Sequence, residues 1–236
     1  DTAANTDIPM TKILRDYPRP EILVDETNYG LKITALRHME NELTHVRVTN
    51  QIFPQAICIP MSREMTITQW HVPIDNENCY WYSIFTSFSQ PVDKKLMREQ
   101  RLKEHTLPDY APIKNAENNY NYDPDEQARK TYTGMGLDIN VHDQWAVEGM
   151  GSIQDRTQEH LGRSDVAIIR YRRILRKAIA DLLDCRVDAL LMKDLSAAQI
   201  KGPLSNDAIT KTSEWQQASQ AADFARRNSC PWDASI

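Results

Sequence analysis

An α+β fold, with a long helix laid on an antiparallel sheet, is what this 236-residue sequence predicts. Two observations predict it. Between Glu21 and Gln90, short runs rich in β-branched and aromatic residues are separated by turn signals too close together for crossover helices, which means an antiparallel meander. From Val166 to Leu183, apolar residues recur mostly at three- and four-residue steps, the mark of one amphipathic helix. A helix of that kind buries its stripe against the sheet, and any ligand cavity lies between the two.

Residues 1–19 are polar and read as a leading loop that closes on Asp16-Tyr17-Pro18-Arg19-Pro20. Strands follow at Ile22–Val24, Leu31–Arg37, His45–Phe53, Ala56–Ile59, Met65–Val72 and Cys79–Thr86. Their punctuation is Asn28-Tyr29-Gly30, Asn41-Glu42, Pro54, Pro60 and Asp75–Asn78. Asp93–His105 is a charged surface helix, and residues 106–135, rich in Asn, Tyr and Pro, suit a lid or a tether. The polar stretch His142–Asp165 crowds acids, amides and histidines together. In it Ser152 caps a helix to about Leu161, with Gly162 as its stop, and Ser164 caps the long helix, whose first-turn Asp165 suits the dipole. Arg170, Arg172, Arg173, Arg176 and Lys177 fill the far side of that helix as a solvated face. Val187–Leu195 and Thr212–Arg227 read as further helices, and Ser229–Ile236 as a tail.

Composition excludes several functions. A net charge of −5 with no long basic run speaks against nucleic-acid binding, and no apolar run approaches the ~20 residues of a membrane span. The first ten residues lack the basic and apolar regions of a signal peptide, and the absent initiating Met suggests a start inside a longer protein. Cys58, Cys79, Cys185 and Cys230 form no C-x-x-C pair, so a zinc ribbon is unsupported; widely spaced, they read as buried thiols in a reducing cytoplasm.

Among single residues, Arg47 alternates with Val46 and Val48, so its side chain leaves the face they occupy. Its fork suits a substrate carboxylate, as does that of Arg15 in the leading loop, while a solvated or ion-paired arginine is the alternative for both. Phe53, Ile67 and Trp81 either line an apolar ring pocket or belong to the core. His142 is either a helix-start residue or a group that orients Asp143. Asp155, Arg156 and Glu159 have the spacing of a helical ion-pair set; with His160, the two acids also allow a carboxylate-bridged metal site, although the Glu-x-x-His pairing is absent.

The run Asp143–Asp165, with Asn28-Tyr29-Gly30, Arg47-Val48-Thr49-Asn50, Trp70-His71-Val72-Pro73 and Ile168-Ile169-Arg170-Tyr171-Arg172-Arg173, resembles the catalytic domain of Rieske non-haem iron ring-hydroxylating oxygenases, in the phthalate dioxygenase-like branch. The resemblance spans Glu21 to Leu183. It implies a helix-grip fold for a catalytic portion over residues 1–184; residues 185–236, with their own helix patterns, read as a C-terminal helical extension. It also implies a mononuclear Fe(II) held by two histidines and one carboxylate. The family's carboxylate opens a helix and is followed five residues later by a Glu; Asp143, with Glu148, matches and becomes the implied catalytic and metal residue, with Asp155 as its rival. The family's histidine pair and the ligands of its Rieske [2Fe-2S] cluster have no match in this sequence. The remaining implications are an aromatic carboxylate such as phthalate or a benzoate derivative as substrate, O2, a reductase as electron donor, and a homo-oligomer, trimer or hexamer. A non-enzymatic helix-grip module binding a hydrophobic small molecule is the competing expectation.

Overall fold

The computed structural model describes residues 6–61, 65–186, 192, 194–196, 199–200, 202–228 and 230. They divide into two compact units, one drawn from Asp1–Pro73, Cys79–Val92 and His160–Ile236, the other from Ile74–Asn78 and Asp93–Glu159. The architecture is α+β, as expected.

The first unit is built on an antiparallel sheet of β1 (Glu21–Thr27), β2 (Gly30–His38), β3 (Leu43–Ile52), β4 (Ala56–Pro60), β5 (Met65–Pro73) and β6 (Cys79–Ser87), in that spatial order. All six expected strands are present, each within a few residues of its expected ends. Gly30 turns β1 into β2 at φ +143°, where a Cβ would stand 2.2 Å from the Gln51 carbonyl oxygen, so no other residue fits. Residues expected in the helical extension contribute a further strand: Asn206–Lys211, which pairs with β3 from Leu43 to Val48, while β4 pairs with β3 from Asn50 to Ile52. One edge of β3 is therefore shared between two partners.

Side-chain alternation assigns the faces. Leu36, Val46 and Val48 form a buried cluster with Leu23, Leu204 and Trp215 on one face. On the other, Ile209 packs with Met10 and Ile13 of α1 (Met10–Asp16), a helix in the expected leading loop. Asn50, fully buried, pins the chain where β3 changes partner: it donates to the Leu204 carbonyl at 2.6 Å and to Ser205 Oγ at 2.8 Å, and accepts from Tyr29 Oη at 2.8 Å.

The long helix spans Val166–Leu183, within a residue or two of expectation, and touches β1 and β2. Arg170 Nη1 donates to the Val24 carbonyl at 2.9 Å and Tyr171 Oη to that of Pro54 at 3.0 Å. Its apolar stripe is only half covered, since Ile169, Ile179 and Leu182 are exposed. Near its end Asp181 accepts from Lys177 at 2.5 Å and pairs with Arg186 at 2.9 Å, and these cations hold its carboxyl below the usual range. The last helix, Trp215–Asn228, follows a 3-10 turn at Thr212–Glu214 and is tied to the neighbouring strand by reciprocal bonds between Asn206 and Ser219, at 2.9 and 3.1 Å. Most of Val187–Leu195 and of Ser229–Ile236 lies outside the described residues.

In the second unit, α2 (Lys94–Arg101) is capped by Asp93, which accepts from the Leu96 amide at 2.9 Å. A two-stranded ladder, β7 (His105–Thr106) with β8 (Ala111–Pro112), leads to a 3-10 segment at Ala116–Asn121, α3 (Pro124–Arg129) and α4 (Ile139–Glu148). Residues 106–135 are thus structured in short pieces. Tyr120, Met135 and Val141 form the unit's small core. The helix expected from Ser152 to Leu161 is absent: only a 3-10 turn at Arg156–Gln158 forms, capped by the Asp155 carboxylate, which accepts from the Thr157 amide at 2.9 Å and from its hydroxyl at 2.7 Å. In chain order the Asn206–Lys211 strand is β9, and the helices Val166–Leu183 and Trp215–Asn228 are α5 and α6. No helix among the described residues is long and apolar enough to cross a membrane.

Candidate functional site

Asp143 lies in the body of α4, not at its start. The helix opens a turn earlier, at Asp138, whose carboxylate accepts from the Asn140 amide at 3.0 Å and pairs with Arg101. Asp143 is exposed. Glu148, five residues on, accepts from Tyr120 Oη at 2.5 Å and from Gln144 Nε2 at 3.0 Å. Burial and the Glu148 carboxylate push the Tyr120 phenol up to about 12, so it donates at any physiological pH. Asn119, Tyr120 and Asn121 all have φ between 50° and 55°. Three consecutive left-handed residues aim Tyr120 inward, and the flanking asparagines, tolerant of that region, are the sequence signal that could have found this turn. His142 Nε2 lies 2.9 Å from Thr133 Oγ1 and 3.0 Å from the Gly136 carbonyl, so this histidine fastens α4 to the preceding loop.

Arg47 leaves the face of Val46 and Val48, as alternation requires, and is largely buried. Nη1 meets Asp207 at 2.7 Å and Nη2 donates to the Pro60 carbonyl at 2.8 Å, with the Asp207 side chain 1% exposed. No local signal marks Asp207, which lies 160 residues away in sequence. Beside Arg47 on the same face, Arg37 and His45 are direct cross-strand partners. His45 is fully buried with neither ring nitrogen hydrogen-bonded; burial first, then Arg37 and Arg47, push its imidazole down to about 4. Arg15 is at the surface, its Nε 2.9 Å from Asp16.

Within the first unit an open cavity of about 510 Å³ lies between β1–β3 and the starts of α5 and α6. Thr34 and Val48 floor it, Leu23, Leu204 and Trp215 add apolar wall, and Lys32 and Arg170 are its cations. A smaller cavity, about 230 Å³, is lined by Phe53, Ile174 and Ala178. Ile67 and Trp81 line neither: Ile67 is buried, and Trp81 stacks on His71 at 5.0 Å between centroids. Among the cysteines only Cys58 is the expected buried thiol; Cys79 and Cys185 are exposed, and Cys230 is intermediate.

Among the described residues no three His, Cys, Asp or Glu side chains come together as a metal site. One exposed carboxylate, Asp143, does not make the donor set an Fe(II) requires. Asp155, its rival, is committed to Thr157, and Glu159 to Gln154 at 3.2 Å.

Residues 5–230 match the family described as LigXa C-terminal domain like. The chain is 28% identical over 172 residues to the phthalate 4,5-dioxygenase oxygenase subunit of Pseudomonas putida, covering 68% of this chain and 38% of that protein. It is 26% identical over 179 residues to the 3-chlorobenzoate-3,4-dioxygenase oxygenase subunit of Comamonas testosteroni, covering 68% and 41%. It thus spans about two-fifths of the length of these relatives. A match over nearly the whole chain, on the fold and motifs described above, leads to one conclusion: the chain belongs to the LigXa C-terminal domain like family and corresponds to a C-terminal portion of Rieske-type oxygenase α subunits.

Proposed function

We propose that this chain is the C-terminal catalytic part of a Rieske-type oxygenase. The complete enzyme would use Fe(II) and O2 to hydroxylate, or to O-demethylate or cleave, an aromatic carboxylate such as phthalate or a benzoate derivative. The observation that carries the reading is the match to two oxygenase subunits whose names specify aromatic carboxylates. In this reading the sheet grips α5 as the helix of a helix-grip domain, and Asp143 is one iron ligand, with histidine donors and the Rieske [2Fe-2S] cluster supplied from outside these residues. What supports Asp143 is the Asp-to-Glu spacing, together with the fixed position of Glu148 under Tyr120. Arg47 and Arg15 are the contacts for the substrate carboxylate; Arg47 would have to exchange Asp207 for it, while Arg15 engages Asp16 through Nε alone. A reductase would supply electrons to a cytoplasmic homo-oligomer, trimer or hexamer.

The test is iron content in the protein from its native source. About three irons per chain are expected, two in the cluster and one mononuclear. Asp143→Ala should lose the mononuclear iron, keep the cluster and abolish hydroxylation. Three irons retained in that variant would remove Asp143 from the site, and a native protein without iron would refute the oxygenase. The open cavity on the sheet would then favour the second reading, a non-enzymatic module that binds a hydrophobic small molecule.

A further inference from the structure

The cavity above β1–β3 has a chemistry of its own. Its size falls within the range of small-molecule sites, and Leu23, Val48, Leu204 and Trp215 give it one apolar side. Its charges do not cancel. Lys32 is paired with Asp25 at 2.9 Å, and Asp25 is the one acid in the wall. Arg170 is exposed at the mouth and has no carboxylate partner among the described residues. Its bond to the Val24 carbonyl uses one of five N–H donors and anchors the guanidinium against β1. Its remaining donors are free for an anion, and an anchored fork loses less freedom on binding than a mobile lysine would.

We propose that this cavity binds a single-ring aromatic carboxylate, with the ring against Trp215, Leu204 and Val48 and the carboxylate on Arg170. The site differs from the Arg47 contact proposed above in one physical respect: Arg170 need not abandon an internal carboxylate to take the ligand, whereas Arg47 must. The cavity stands on its own geometry, and the choice of aromatic carboxylates as its ligand class rests on the proposed function.

The experiment is calorimetric titration of the 236-residue chain with benzoate and with neutral benzamide, alongside quenching of Trp215 fluorescence identified by difference from Trp215→Phe. Benzoate should bind about tenfold or more tightly than benzamide, the margin of a charge-assisted hydrogen bond. Arg170→Gln should bring the two ligands to equal affinity, whereas Arg170→Lys should keep part of the gap. The unchanged benzamide affinity of Arg170→Gln checks that the cavity is intact. An undiminished benzoate preference in Arg170→Gln, or no saturable quenching of Trp215, would overturn the site. The two ideas fail separately: a native protein without iron that still binds benzoate through Arg170 refutes the oxygenase and leaves the site standing, while an active oxygenase with no such binding does the reverse.

Discussion

Lowering the pH should destabilise this protein through His45. The imidazole is fully buried, with neither ring nitrogen hydrogen-bonded, and Arg37 and Arg47 add repulsion, so its pKa falls from 6.5 to about 4. In the folded chain it therefore stays neutral through mildly acid solution, while in the unfolded chain it takes a proton below about pH 6.5. The unfolded state then holds more protons, so stability falls as the pH drops from 6.5 towards 4 and levels off below it, where both states are protonated. Between pH 7.5 and pH 5 the loss assignable to this residue is about 2 kcal/mol, rising to about 3 kcal/mol below pH 4. Other groups titrate over the same range, so the test is a difference. Urea unfolding of the parent and of His45→Leu, a change close to volume-conserving, should give similar free energies at pH 7.5. At pH 5 the parent should have lost about 2 kcal/mol more than the variant. Parallel losses in the two proteins would show that the buried imidazole does not set the acid sensitivity, and the argument from its burial would fail.

Two further perturbations probe the place where β3 changes partner. Arg47→Met strips the guanidinium from a carboxylate that is almost wholly buried and should cost about 3–5 kcal/mol in urea unfolding. Adding Asp207→Leu should recover part of that loss; additive losses would mean that the pair is not coupled. Asn50→Ala removes three hydrogen bonds from a fully buried position and should cost about 3 kcal/mol or more, whereas a loss under about 1 kcal/mol would show that the junction is held otherwise.

How much of this was legible in the sequence depends on how far apart the cooperating residues lie. The six-strand meander and α5 were readable because alternation and helical periodicity are local, and each strand of the meander pairs with one close in sequence. Strand β9 was not. It has only Ala208 and Ile209 as apolar residues, and its partner lies some 160 residues upstream, so nothing nearby marks it as a strand. Helix α1 was missed because Met10 and Ile13 are its only buried side chains in a polar segment. At the candidate site, the run around Asp143 was recognisable, but the helix start was misplaced because Asp138 and its partner Arg101 are 37 residues apart. Arg170 was read as part of a solvated face because a helix pattern shows which residues share a side and not which carbonyl waits opposite. Asn28-Tyr29-Gly30 and Arg47-Val48-Thr49-Asn50 drew notice as motif pieces, and the structure gives them a physical reason: Tyr29, Arg47 and Asn50 hold the 204–207 segment to the sheet or to one another.

The shared edge of β3 also has a consequence in time. While the protein is being made, Leu43–Val48 emerges from the ribosome long before Asn206–Lys211 exists to pair with it. At about 5–20 residues per second, a separation of 160 residues leaves that edge bare for roughly 10–30 s. A bare strand edge invites pairing with another chain, and inward-facing charge is one of the devices that discourages it. Arg47 sits on that edge throughout the interval, with Arg37 on the neighbouring strand, its carboxylate partner not yet synthesised. The residue that later clamps the finished sheet is, until then, the charge that keeps the unfinished one from sticking to its neighbours.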